Sequence, residues 1–357
     1  MQLNLRCPGL RKLEKSVPLK CKEISLDDTN GTKINGTSYK LGILMKYGND
    51  AKIPEFVSQS NESGGLNCDI DKDGRRDWKT CTVLLPGDIA VSDSSMDNRD
   101  EPSVGFTPFI EFRLDDNVRE RLLYNKTLVD ARRYLHTRLF GNRKSPIQVR
   151  RLATESFTLR LPEGVTFKIR ELDACEIDSF GTLEKLLAPT NYPLDLVKVS
   201  EVHDALIENA HSEIKRARCI DVITQRNDGL LRFLTSLPNK TITSFPLMCG
   251  EYIAFIEDWK RNIREVGSSI TFEAMYQDHV ERIFELVMGH FEYRENAEGD
   301  MFISLNSDLD LRISAGDDRK SDLAKELMEG YDSDDSGDEW DYSFLKIEVV
   351  PIKFEKK

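Results

Sequence analysis

The chain holds 357 residues, room for roughly two domains at about 150 residues each. Hydrophobic residues make up 39%, charged residues 31%, and 50 Lys+Arg against 62 Asp+Glu leave a net charge of −12. Such a composition carries a sizeable core, excludes fibrous, disordered and membrane classes, and lacks the basic surface that nucleic acid as a main partner requires.

The opening MQLNLRCPGLRKLEK has no apolar signal region, and no stretch approaches the ~18 apolar residues of a membrane span. A cytoplasmic location, with the nucleus as the other option, is the expectation. Residues 1–20 read as a short basic-faced helix with Leu3, Leu5, Leu10 and Leu13 among Arg6, Arg11, Lys12 and Lys15. Residues 21–103 read as a small β-rich module with polar loops. Within it Ile34-Asn35-Gly36 is a hairpin turn feeding Tyr39, Leu41 and Ile43 in alternation. Residues 58–78 read as a polar loop, Val83-Leu84-Leu85 as a short strand ended by Pro86-Gly87, and 92–103 as a linker.

From about Phe106 short alternating apolar runs are separated by helical patterns at Leu128–Phe140, Val202–Arg216, Glu251–Val266 and Asp278–Phe291. Ile147, Phe167, Val197, Ile220, Ile242, Ile270 and Ile303 mark the runs, 20 to 33 residues apart. That irregular period predicts a strand–helix ladder of leucine-rich-repeat-like type over 104–357. Lys168, Arg170, Lys198, Asp221, Thr271 and Glu273 interrupt the strands, so one sheet face should stay wet, unlike the strands of a doubly wound sheet. The fold class is therefore α/β (α+β), a small N-terminal β-rich module followed by the ladder. Ala315 to Tyr342 holds eleven acids and three bases, an acidic insert expected to be disordered. Within it Ser336 with Glu339 suits an acid-directed kinase of the casein-kinase type, against a plain solvated loop.

Few motifs point to chemistry. Asp69, Asp71 and Asp73 with Gly74 at the sixth position and Asp77 at the ninth resemble a calcium-wrapping loop, but the twelfth position is Thr80. The five histidines form no short cluster, and no GxSxG, GxGxxG or GxxxxGK[ST] occurs. Seven widely spaced cysteines without a CxxC read as thiols in a reducing compartment. Five Asn-x-Ser/Thr sequons, at Asn30, Asn35, Asn61, Asn125 and Asn239, are expected to be silent. No catalytic set, metal or cofactor site is expected, and the chain reads as non-enzymatic.

Several stretches carry a family likeness: Arg6-Cys-Pro-Gly-Leu-Arg-Lys-Leu-Glu-Lys-Ser-Val-Pro-Leu-Lys20, Ile34 to Ile43, Ile53-Pro54, Leu85-Pro-Gly-Asp-Ile89, and Leu139 to Pro146. They resemble the nematode-expanded F-box C proteins with their associated domain of unknown function. The likeness is specific to about residue 150 and rests on general rhythm beyond it. It implies a substrate-recognition subunit of a cullin-based ubiquitin ligase, whose F-box docks the ligase adaptor and whose associated domain binds a target protein. Here 1–20 is expected to be at most the last F-box helix. A binding or scaffold protein without ligase coupling is therefore the alternative. The partner surface is expected on the wet sheet face, where Lys168, Arg170, Lys198, Asp221, Thr271 and Glu273 mix both signs and suit a protein better than a polyanion.

Overall fold

A computed structural model describes residues 14–27, 31–48, 53–77, 83–90, 105–115, 117–155, 158–174, 184–188, 193–199, 212–223, 229–317 and 342–352. The expected linker at 92–103, Ser336 with most of the acidic insert, residues 1–13 and residues 202–211 lie outside these. The fold is α/β with a β-rich N-terminal part. Contacts divide the chain into two compact units, Met1–Asn191 and Tyr192–Lys357.

The first unit contains β1 (Lys20–Asp27), β2 (Gly31–Ile34), β3 (Thr37–Tyr47), α1 (Glu55–Glu62), β4 (Asp88–Ala90), β5 (Phe106–Leu114), β6 (Asn117–Leu123), α2 (Leu128–Leu139), β7 (Ile147–Glu155), β8 (Thr158–Arg160), β9 (Phe167–Lys168) and β10 (Glu171–Ala174). Its sheet runs β10–β7–β1–β2–β3–β5–β6, with β9 also on β7, while β4 and β8 form a separate pair. The β2–β3 hairpin turns where expected. Asn35 and Gly36 take φ of 51° and 85°, left-handed values that a two-residue hairpin loop needs. The Asn35 side chain then accepts the backbone N–H of Lys22 at 2.6 Å and of Glu23 at 3.2 Å, tying the turn to β1.

Three expectations for this region are corrected. The domain boundary at 103/104 is not where the contacts divide: β3 pairs antiparallel with β5 from Tyr39–Leu114 to Tyr47–Phe106, and β1 lies parallel to β7. Strands β1, β2 and β3 are thus woven into one sheet with β5, β6, β7, β9 and β10. The polar stretch from residue 58 begins inside helix α1, which starts after Pro54 and buries only Val57, so it carries almost no apolar period to read. Val83 and Leu84 are not strand; they are 54% and 53% exposed, and strand β4 follows the Pro86–Gly87 turn instead of preceding it.

The second unit contains β11 (Leu196–Val199), α3 (Ser212–Arg216), β12 (Cys219–Val222), α4 (Leu230–Ser236), β13 (Thr241–Ser244), α5 (Glu251–Arg261), β14 (Ser269–Tyr276), α6 (Gln277–His290), β15 (Arg294–Glu295), β16 (Met301–Ser304), β17 (Leu309–Asp317) and β18 (Tyr342–Pro351). Strands β11 to β14 are parallel, as the ladder reading requires. The residues that mark the period fall in register: Val197 opposite Ile220, Ile220 opposite Ile242, Ile242 opposite Ile270. All four are buried. The rings of Tyr252 and Phe255, on α5, make T-shaped contacts with Phe272, their centroids 5.0 and 5.9 Å from its own, so this helix packs on the apolar face of β14. The ladder ends at β14. Beside it lies β18, antiparallel, followed by β17, β16 and β15. Ile303 therefore pairs with Leu311 and not with Ile270, and the apolar row continues through Ile347, Ile313 and Met301.

Candidate functional site

Strand alternation fixes what the second unit presents on its other face. With Val197, Val199, Ile220, Val222, Ile242, Ile270 and Phe272 buried, their neighbours point the opposite way. One row across the sheet reads Lys198, Asp221, Thr243, Thr271, Lys346 and Ser314, each opposite the next. A second row, two residues along, reads Leu196, Cys219, Thr241, Ser269, Glu348, Arg312 and Phe302.

Charge is paired within this face. The Lys198 ammonium lies 3.2 Å from the Asp221 carboxylate on the neighbouring strand, and Lys346 lies 3.1 Å from Glu348. Arg312 is 2.7 Å from Asp300, while Arg294 pairs with Asp310. Between the Lys198–Asp221 pair and the Lys346–Glu348 pair sit the hydroxyls of Thr243, Thr271, Thr241 and Ser269. The result is a neutral strip, two strands wide and built of short side chains, with ion pairs on either flank. Lys198 and Asp221 are about three-quarters covered, at 24% and 22% exposure, so their charges are held in place instead of sampling solvent freely.

Of the six residues expected to form the partner surface, Lys198, Asp221, Thr271 and Glu273 are brought together on this face. Lys168 and Arg170 belong to the first unit. There they are exposed on either side of buried Ile169, with Arg170 N–H donating to the Arg150 carbonyl at 3.1 Å. The alternation predicted for them holds locally.

The calcium-like loop has another job. The Asp69 carboxylate accepts the Tyr124 hydroxyl at 2.6 Å, the Leu128 N–H at 2.6 Å and the Val129 N–H at 3.4 Å, capping the N-terminus of α2 from a distant loop. Burial and this carboxylate together push the Tyr124 hydroxyl's pKa upward. Asp71 accepts the N–H groups of Asp73 and Arg75, both at 2.9 Å. Among the described residues no cluster of His, Cys, Asp and Glu is arranged to hold a metal ion. Three sequon side chains are likewise engaged: Asn35 at the β2–β3 turn, the Asn61 amide donating to the Met45 carbonyl, and the Asn239 amide to the carbonyls of Ile214 and Ala217.

A polar centre in the first unit escapes sequence reasoning. His136, on α2, receives a carbonyl from β8: its Nδ1 donates to the Arg160 backbone oxygen at 2.7 Å, which leaves Nε2 to accept the Thr32 hydroxyl at 2.7 Å. Burial and the nearby Arg132 charge lower its pKa to about 4, against the opposing pull of that carbonyl and of Asp88. Behind it Arg160 and Asp88 form a buried ion pair at 2.7 Å. A small cavity opens here, lined by Thr32, Tyr39, His136 and Arg160. The partners come from four separated stretches, and the only signal in the sequence is a histidine on the apolar side of a helix.

Residues 127–275 match a family model described as a domain of unknown function, DUF3557. The match begins at Thr127, whose hydroxyl caps α2, and ends inside β14. It contains His136 and all six expected surface residues. No curated protein and no solved structure matches the chain. No described helix is long and apolar enough to cross a membrane.

Proposed function

We propose that this protein is a non-catalytic protein–protein interaction module of the kind that presents substrates to a cullin-based ubiquitin ligase, working in the cytoplasm or nucleus. The observation that carries it is the polar face of the second unit, where Lys198, Asp221, Thr243 and Thr271 lie in one row with the charges paired and largely covered. Fixed, mixed-sign side chains on a rigid sheet favour recognition of a protein surface of complementary pattern. They neither concentrate the positive potential that a polyanion needs nor assemble a nucleophile with a base. The ligase assignment rests on the resemblance of Arg6 to Lys20, Ile34 to Ile43 and Leu139 to Pro146 to F-box C proteins.

Affinity purification of the full chain with mass spectrometry tests both halves. Recovery of a cullin and its adaptor together with a target supports ligase coupling. Recovery of a target with the adaptor and cullin reproducibly absent favours the alternative, a binding or scaffold protein.

A further inference from the structure

The first unit ends in a strand that nothing described covers. Strand β6 pairs with β5 on one side only, and all seven of its residues are exposed. Val118, Leu122 and Leu123 are 45%, 47% and 65% exposed, an unusual apolar load for an edge.

The ladder fixes which backbone groups face outward. The Tyr124 N–H donates to the Pro108 carbonyl, so Tyr124, Leu122 and Glu120 turn their backbone groups toward β5. Arg121 and Leu123 turn theirs away from β5. The Leu123 carbonyl is taken by the Asn125 N–H at 2.8 Å, which leaves the Arg121 N–H, the Arg121 carbonyl and the Leu123 N–H along the outer edge.

The side chains select what can add there. Strand β6 carries Arg119, Glu120 and Arg121 within a chain of net charge −12. A second copy is disfavoured. Antiparallel pairing about Glu120 sets Glu on Glu and Arg119 on Arg121, pairing about Arg119 or Arg121 sets that arginine on itself, and pairing about Leu122 or Leu123 leaves Arg121 opposite an uncharged residue instead of a carboxylate. An acidic strand meets no such conflict. Carboxylates at alternate positions fall beside Arg121 and Arg119, the residue at the β6 bulge, and the apolar residue on the other side of Arg121 meets Leu122. Arg121 is held ready, its Nε donating to buried Glu111 at 2.6 Å while the side chain stays 62% exposed.

We propose that β6 is a docking edge for an extended acidic segment of a partner protein, which adds as a further strand with carboxylates at alternate positions. This surface lies in the first unit and is independent of the face on which the proposed function rests.

The test is a fluorescence-anisotropy titration of the full chain with a labelled Thr-Val-Glu-Val-Glu-Val-Thr peptide, read beside hydrogen exchange of the 117–123 segment. Saturable binding is expected, with exchange of the Arg121 and Leu123 amides slowed at least about tenfold. Leu123→Pro removes an outward N–H without touching the β5 ladder, and Arg119→Glu reverses one charge; each should weaken binding about tenfold or more. The same peptide with Lys for Glu should bind at least about tenfold more weakly. Absence of saturable binding, equal affinity for the Glu and Lys peptides, or undiminished binding by both variants would overturn the proposal. Should Leu123→Pro lose its far-UV circular dichroism, Arg119→Glu and a peptide N-methylated at alternate amides decide the matter, with loss of binding in both expected and retention in both contradictory.

Discussion

Acid should weaken the first unit through His136. The ring is buried between α2 and β8, with Nδ1 committed to a carbonyl and Nε2 to the Thr32 hydroxyl, so the folded state holds it neutral down to about pH 4. In the unfolded chain the same ring takes a proton near pH 6.5. Between these values the unfolded state binds the extra proton, so stability falls as pH drops through that window. Each unit of displacement is worth about 1.4 kcal/mol, which makes the loss about 3 kcal/mol by pH 4. Urea unfolding of the wild type and of His136→Asn, at pH 7.5, 5.5 and 4, isolates the effect from the many carboxylates that titrate in both. Asn keeps a donor for the Arg160 carbonyl and cannot take up the proton. The wild type should be the more stable at pH 7.5, because the ring also packs 5.8 Å from Phe140, and that advantage should shrink by about 3 kcal/mol at pH 4. A gap that stays constant or widens on acidification would show that the ring is not held neutral.

Asp69→Ala should cost about 2 kcal/mol or more in chemical denaturation, since it uncaps α2 and strips the Tyr124 hydroxyl of its acceptor. With that carboxylate engaged, about 1 mM Ca²⁺ should leave the thermal midpoint of the wild type unmoved in calorimetry. Gly42→Ala should destabilise by about 3 kcal/mol, because a Cβ there would stand 2.1 Å from the Gly64 carbonyl oxygen; urea midpoints measure it. Ile242→Ala, in the middle of the buried row, should cost about 2–5 kcal/mol by the same measurement.

How much of the fold the sequence revealed depends on how local each determinant is. The Asn35-Gly36 turn and helix α2 are written in adjacent residues, and both stand at the positions those residues predict. The row Val197, Ile220, Ile242, Ile270 was legible because parallel strands joined by helices repeat an apolar signal that survives uneven spacing. The place of β18 was not, since its insertion between β14 and β17 depends on a pairing across more than sixty residues of chain. The same holds for β1, whose own alternation says nothing of its parallel partner β7. Asp69 was misleading for a related reason. An Asp-rich loop has one sequence signature whether its carboxylates wrap an ion or cap a helix that begins at Leu128. On the candidate face, the charged positions were visible from alternation, but the Lys198–Asp221 pairing and the hydroxyl strip beside it exist only once four strands are in register.

The central claim is that the patterned face of the second unit selects a protein partner. Exchanging the ion pair, 3.2 Å apart in the wild type, as Lys198→Glu with Asp221→Lys keeps opposite charges on neighbouring strands while inverting what a partner meets. Quantitative affinity purification of the exchanged protein beside the wild type, with thermal midpoints matched within a degree or two, measures the selection directly. The account predicts that the wild-type target is lost from the exchanged protein, and recovery of the same target in undiminished amount would contradict it.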